Sequence, residues 1–221
     1  MMSNMKKLSS AGLKIFGLIC IGSLLVAGFS EMAGQYSVSR LQDHPLNLEV
    51  DVLRQSRGTS CGEAVIAMVY NYLNPASPIT EQEVIDYALA QGYFTEDLPP
   101  FTSPANMLKI AQQYADDVSW GNVRNSDQAL MLLIQRLEDG EPVIIDVLSN
   151  FGDPTSEAHF IVVTGISVGA NRENAVVVSY NDPLTGTKQS ADWAGGEGVW
   201  NAWQNNADPG GSGWWMVISR P

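Results

Sequence analysis

The stretch QSRGTSCGEAVIAMVYNYL, residues 55–73, joins a Gly-Thr-Ser turn to a run of apolar residues at helical spacing. Ser60 followed by Glu63 is a capping-box pattern, so the sequence predicts a buried helix that begins at Cys61 and ends at about Leu73. Unpaired N–H groups and the helix dipole at such an end stabilise a thiolate. Since Glu63 would place an anion one turn away, we expect its side chain to point outward.

The N-terminus has the pattern of an export signal. Three lysines and no acid precede an uncharged run from Ile15 to Phe29, which is short for a membrane span. We therefore predict residues 1–30 as a signal peptide or uncleaved anchor, 31–50 as a spacer or short pro-segment, and 51–221 as one domain. The protein would be periplasmic, extracellular or anchored facing outward.

The net charge of the chain and its number of cysteines limit which binding partners and cofactors are expected. Without the three lysines of the signal, the remaining chain carries a formal charge of −15, which argues against nucleic acid and anionic membranes. A cationic peptide would be attracted. Cys20 leaves with the signal, so Cys61 is a lone thiol, either reactive or buried and inert. We expect no metal or nucleotide cofactor, because no ligand spacing or phosphate-binding motif is present.

Helices are predicted before strands along the chain. Further helix starts are indicated by Thr80 with Glu83, by Ser103 before Pro104, and by Ser126. Runs of β-branched and aromatic residues then predict strands at 142–148, 159–168, 174–182 and 214–219. The fold class is therefore α+β, with a helical half packed on an antiparallel sheet. The tryptophans of residues 190–213 are expected to be core anchors rather than a binding platform.

Few residues can serve as a base for the thiol. His159 opens the predicted strand HFIVVTG, whereas His44 has no supporting context and is expected to be structural. A base histidine needs an orienting partner, and Asn181 or Asp182 at the end of the next strand can supply one. Gln55 lies across the turn from the cysteine, where its amide can donate to an oxyanion.

The order Gln55, Cys61, His159, Asp182 resembles the papain-like cysteine peptidases. Within them, the segments QSRGTSCGEAVIAMVYNYL, GEPVIIDVL, HFIVVTGI and YNDPLTG resemble the family that removes double-glycine leaders from bacteriocins, and its stand-alone relatives. The resemblance implies Cys61 as nucleophile, His159 as general base and acid, Asp182 as orienting residue and Gln55 at the oxyanion hole. Asn181 is the alternative to Asp182.

The chain departs from the family at two points. Ser-Cys-Gly-Glu replaces the common Asp-Cys-Gly-Pro around the nucleophile, and no transporter segment or phosphate-binding loop is present. The second departure puts recognition of Gly-Gly leaders in question. We expect an exported, monomeric cysteine peptidase that acts on peptide or protein substrates. The alternatives are an inactive peptide-binding domain of the same fold and a cysteine acyltransferase, in which an amine replaces water.

Overall fold

The computed structural model describes residues 40–169, 175–206 and 208–219. The predicted signal segment and residues 31–39 of the predicted spacer therefore lie outside the described residues. Within the described ranges, no helix combines the length and the apolar character needed to cross a bilayer.

The helices follow the sequence prediction closely. They are α1 (Cys61–Leu73), α2 (Glu81–Gln91), α3 (Pro104–Tyr114), α4 (Ser126–Glu138) and α5 (Val199–Gln204). The first four were predicted from start signals and apolar periodicity, whereas α5 lies in the tryptophan-rich stretch that could have been a loop or a broken helix. Gly92 ends α2 in the left-handed conformation at φ 68°, which glycine adopts without steric cost.

The predicted helix caps are partly correct. Thr80 and Glu83 form the full capping box of α2, and the Ser103 hydroxyl accepts from the Asn106 N–H at the start of α3. The cap predicted at Ser126 is wrong by one residue. Asn125 caps α4 instead, because its side-chain oxygen accepts from the backbone N–H groups two and three residues ahead.

The described strands form one sheet. They are β1 (Leu46–Asn47), β2 (Val118–Asn122), β3 (Val143–Leu148), β4 (Ala158–Val168), β5 (Val176–Asp182), β6 (Thr187–Asp192) and β7 (Trp214–Ile218). Their order is β2-β7-β3-β4-β5-β6, all pairs are antiparallel, and β1 pairs with the far end of β4. The α+β papain-like fold predicted from the sequence is confirmed.

Helices cover both faces of this sheet. Alternate residues of β3 point to opposite sides, with Ile144 packed toward α1, α2 and α3, and Ile145 packed toward α4 and α5. A strand covered on both faces is apolar throughout, which accounts for the unbroken run of residues 143–148. The single helical half predicted from the sequence is therefore refined, because α4 packs on the face opposite α1.

The tryptophans of residues 190–213 belong to the core of the α4 and α5 face. Trp203 is fully buried and donates its indole N–H to the Trp214 carbonyl at 2.6 Å. Trp193 is buried, donates to the Ser126 hydroxyl at 3.1 Å, and packs against Trp200. The prediction that they are core anchors is confirmed.

Candidate active site

Cys61 is the first residue of α1 and is partly exposed, which is where the sequence places it. The turn before it is held differently from the prediction. Ser60 does not cap the helix, since its backbone angles (φ −95°, ψ 29°) are not extended. Its hydroxyl instead donates to Glu81 at 2.6 Å, and the same carboxylate accepts the Ser56 N–H at 2.9 Å. The turn before Cys61, residues 56–60, is called the nucleophile turn below. These hydrogen bonds anchor it to the start of α2.

Glu63 does not point outward, so that prediction is wrong. Its side chain is fully buried, accepts the Thr102 hydroxyl at 2.7 Å through Oε1, and leaves Oε2 without a partner among the described residues. Burial raises the pKa of Glu63 to about 7, against the lowering effect of the Thr102 hydrogen bond. The sequence could not show this, because the α1 face that carries Glu63 is covered only in the tertiary structure.

His159 and Asp182 come together through the pairing of β4 with β5. Val162 lies opposite Asn181, and continuing this register brings Asp182 opposite residue 161, two positions from His159. Residues two apart share a face of the sheet, so the two side chains are diagonal neighbours. The His159 Nε2 atom lies 2.7 Å from Asp182 Oδ1, and both side chains are largely buried.

Asp182 is held by three further donors that the sequence did not identify. The Leu184 N–H donates to Oδ1 at 2.9 Å, while Thr185 and Gln189 donate to Oδ2 at 3.0 and 3.1 Å. Burial opposes ionisation, but the hydrogen bond and charge of His159, together with these donors, lower the pKa of Asp182. Gln189 lies on β6, a strand that no periodicity in the sequence predicted.

The imidazole of His159 interacts with the thiol on one side and the carboxylate on the other. Burial alone would lower the pKa of His159, but hydrogen bonding and charge interactions with Asp182 and Cys61 outweigh burial and raise it to about 9. Because Nε2 is bonded to Asp182, Nδ1 is the nitrogen left to exchange a proton with the thiol. At neutral pH this environment favours the imidazolium form, which is the partner a thiolate requires.

Gln55 is tied both to the nucleophile turn and to the end of β5. Its backbone N–H donates to the Pro183 carbonyl at 2.8 Å, and its side-chain amide donates to the Arg57 carbonyl at 2.8 Å. An amide nitrogen carries two protons, so one donor remains for an oxyanion. Gln55 Oε1 is buried without a partner among the described residues.

Asn181 and His44 lie apart from the pair. The Asn181 amide is fully buried and donates to the Val50 carbonyl at 2.9 Å, so it ties the chain before α1 to β5. His44 is exposed, and its backbone N–H bonds to the Arg40 carbonyl at 2.9 Å. Of the two orienting candidates, Asp182 is therefore the one hydrogen-bonded to His159.

Two cavities adjoin these residues. The cysteine-side cavity measures about 440 Å³, and its lining includes Cys61, Phe101, Phe160 and Asp208. The histidine-side cavity measures about 310 Å³, and its lining includes His159 and Asp182. The thiol and the imidazole thus each border a cavity of their own. In the part of the chain that the structure describes, no group of three His, Cys, Asp or Glu side chains is placed to hold a metal.

Two further acids, Asp146 and Asp208, were not predicted as site residues. Asp208 lines the cysteine-side cavity. Asp146 on β3 is fully buried, and neither of its carboxylate oxygens has a partner among the described residues. Burial, reinforced by the charge of Asp208, raises the pKa of Asp146 well above its ordinary range, against the lowering effect of the charge and the backbone N–H of His159. Burial also raises the pKa of Asp208. An acid inside an apolar strand was the available signal, in PVIIDVL at residues 142–148.

A thiol at a helix start, an imidazole at the start of a neighbouring strand and a carboxylate hydrogen-bonded to that imidazole define the class of papain-like cysteine peptidases. The chain belongs to the Peptidase_C39 like family, whose model matches residues 47–208. That range covers most of the chain and contains all the candidate site residues. Family membership indicates a cysteine peptidase. No curated protein shows significant similarity to the chain.

Proposed function

We propose that this protein is an exported cysteine peptidase that hydrolyses peptide bonds through Cys61, His159 and Asp182. The observation that carries the proposal is the buried His159 ring, bonded to Asp182 through Nε2 and interacting with the Cys61 thiol. A carboxylate that fixes the ring and a thiol that can give it a proton are the parts this chemistry needs. Export is supported by the sequence pattern of residues 1–30 alone.

In the proposed reaction, the Cys61 thiolate attacks the substrate carbonyl carbon. A carbon–sulfur bond forms while the carbonyl oxygen gains negative charge. The free amide proton of Gln55 and the backbone N–H of Cys61 are the proposed donors to that oxygen. Collapse of the intermediate breaks the carbon–nitrogen bond, and the His159 imidazolium gives its proton to the leaving amine.

Water completes the cycle. Neutral His159 takes a proton from a water molecule, whose oxygen attacks the acyl carbon, and the carbon–sulfur bond breaks to release the acid. Asp182 keeps Nε2 occupied through both steps, so that Nδ1 always faces the sulfur. An amine in place of water would give acyl transfer, and product analysis with and without added amine separates the two reactions.

The test is the pH dependence of Cys61 alkylation in the full chain carrying Cys20→Ser, so that one thiol is present. We expect rapid alkylation at pH 6 that is lost in His159→Ala. His44→Ala is the matched control, since it removes the other, exposed histidine and should change nothing. Cleavage of a fluorogenic peptide library that disappears in Cys61→Ala completes the test. A thiol that reacts only at high pH in every variant would rule the pairing out.

A further inference from the structure

The cysteine-side cavity is too large for the substrates expected from the family resemblance. Its volume of about 440 Å³ lies within the range of cavities that hold a whole small ligand. A glycine has no side chain to place there, so a Gly-Gly substrate would leave the cavity empty. The cavity therefore fits a substrate residue with a long side chain.

Apolar side chains form much of the wall of this cavity. Two loops face each other across it, one before α3 and one before β4, and the apolar lining residues are Pro99, Pro100, Phe101, Ala158, Phe160 and Pro209. Phe160 is buried and stacks edge-on against Trp214, which makes that wall rigid. Such walls bury the methylene stem of a side chain.

The charged residues that line the cavity are all acidic. Asp208 and Glu157 line it, and none of its lining residues is a lysine or an arginine. No described residue donates a hydrogen bond to the Asp208 carboxylate or forms an ion pair with it. Arg57 lies close in sequence to the lining residue Thr59, but its guanidinium is paired with Glu96. The cavity thus holds a half-buried carboxylate that lacks a counter-charge.

A second carboxyl, that of Asp146, is close enough to Asp208 for the two charges to interact. Asp146 is fully buried, and both of its oxygens lack a partner among the described residues. A Cβ placed on Gly211 would collide with Asp146 Oδ2 and Asn206 Oδ1 and lie 3.0 Å from the Asp208 Cβ, so the Asp146 carboxyl lies against the loop that carries Asp208. Buried carboxyls without partners are costly unless they are neutralised, and a cation in the cavity would meet Asp208, the one of the two acids that lines it.

We propose that the cysteine-side cavity selects a lysine or arginine side chain of the peptide substrate, with the charged end paired to Asp208. Long basic side chains bury an apolar stem while their charged end meets a polar partner, which matches apolar walls that lead to an acid. An arginine would also stack on Phe101 or Phe160. The inference rests on the proposed function, because it assigns a substrate to the same thiol.

The experiment compares peptides that differ at one position in carrying lysine, arginine, leucine, glycine or glutamate. Fluorogenic peptides report cleavage, and peptidyl chloromethyl ketones of the same sequences report alkylation of Cys61 without turnover. In the full chain carrying Cys20→Ser, lysine and arginine reagents should react on the order of tenfold faster than leucine reagents at one position. Asp208→Asn should abolish this preference, so that the ratio of the basic to the leucine rates falls to about one.

Charge reversal and a matched control sharpen the result. Asp208→Lys should favour the glutamate reagents, whereas Asp116→Lys, the same change at an exposed aspartate outside the cavity lining, should keep the basic preference. Equal labelling by all reagents, or an unchanged preference in Asp208→Asn, overturns the proposal. Cleavage that favours leucine or glycine overturns it and leaves the peptidase proposal intact. If basic reagents label Cys61 preferentially but no peptide is cleaved, the proposed selectivity of the cavity is supported and the proposed peptidase activity is contradicted.

Discussion

The buried carboxyl of Glu63 should make the stability of the protein depend on pH, and the substitution Glu63→Gln should remove that dependence. The side chain is fully buried one helical turn from Cys61, and the Thr102 hydroxyl donates to Oε1 at 2.7 Å. Glutamine has the same shape and accepts the same hydrogen bond. The variant therefore removes the ionisation while leaving the packing of α1 in place.

The magnitude follows from the pKa of Glu63, which rises from 4.5 to about 7 on folding. Below pH 4.5 the carboxyl is protonated in both states and costs nothing. As the pH rises from 4.5 to about 7, the unfolded chain releases the proton that the native protein retains, so the native state progressively loses stability, and the loss is complete above that range. The full loss relative to Glu63→Gln is about 3 kcal/mol.

Urea unfolding followed by tryptophan fluorescence at pH 4 and pH 8 measures this effect. The free energy of unfolding of Glu63→Gln minus that of the parent should increase by about 3 kcal/mol between the two pH values. Other titrating groups cancel in the difference. Glu83→Gln is the control, because exposed Glu83 has a pKa lowered by the Thr80 hydrogen bonds, and its difference should change in the opposite direction. A difference for Glu63→Gln that stays constant with pH would refute the reasoning.

Three further predictions concern the site and the sheet. Asp182→Asn removes the charge that holds the histidine, so peptide cleavage should fall on the order of a hundredfold or more, and alkylation of the thiol should move to higher pH. Asn181→Ala breaks the buried bond to Val50 and should cost about 1–3 kcal/mol in urea unfolding, with the alkylation profile unchanged; a changed profile would make Asn181 an orienting residue. Gly165→Ala would bring a Cβ to 2.7 Å from the Leu46 carbonyl, so β1 should detach from β4 at a cost of about 1–3 kcal/mol in thermal or urea unfolding; unchanged stability would show that the strands can move apart freely.

Several features of this protein were predicted from the sequence because they depend on neighbours along the chain. The bounds of α1 follow from its apolar run and the Asn74-Pro75 stop, and the cap of α2 from Thr80 and Glu83. The buried strands β3 and β4 are legible as β-branched runs. Such signals act over a few residues, so the printed sequence contains both partners of each interaction.

Other features were missed because their partners are far apart in the chain. The Ser60 hydroxyl is bonded to Glu81, 21 residues away, rather than to its own helix, and Glu63 is buried by Thr102, 39 residues away. The residues of β6 are exposed or only partly buried, so the sequence has no apolar alternation there that would predict a strand. A pattern of neighbouring residues cannot predict a contact when the partner residue is distant in sequence and is brought close only by tertiary packing.

For the site, the sequence determined which side chains are available and in what order, while the tertiary structure decided how they meet. Both Asn181 and Asp182 were open as partners for His159 until the register of β4 against β5 put the Asp182 oxygen 2.7 Å from the ring. A shift of the β4–β5 register by one residue would put Asn181 in the place of Asp182, because successive residues of a strand point to opposite faces of the sheet. That register is set by the burial of both faces of the sheet, which is a property of the whole fold.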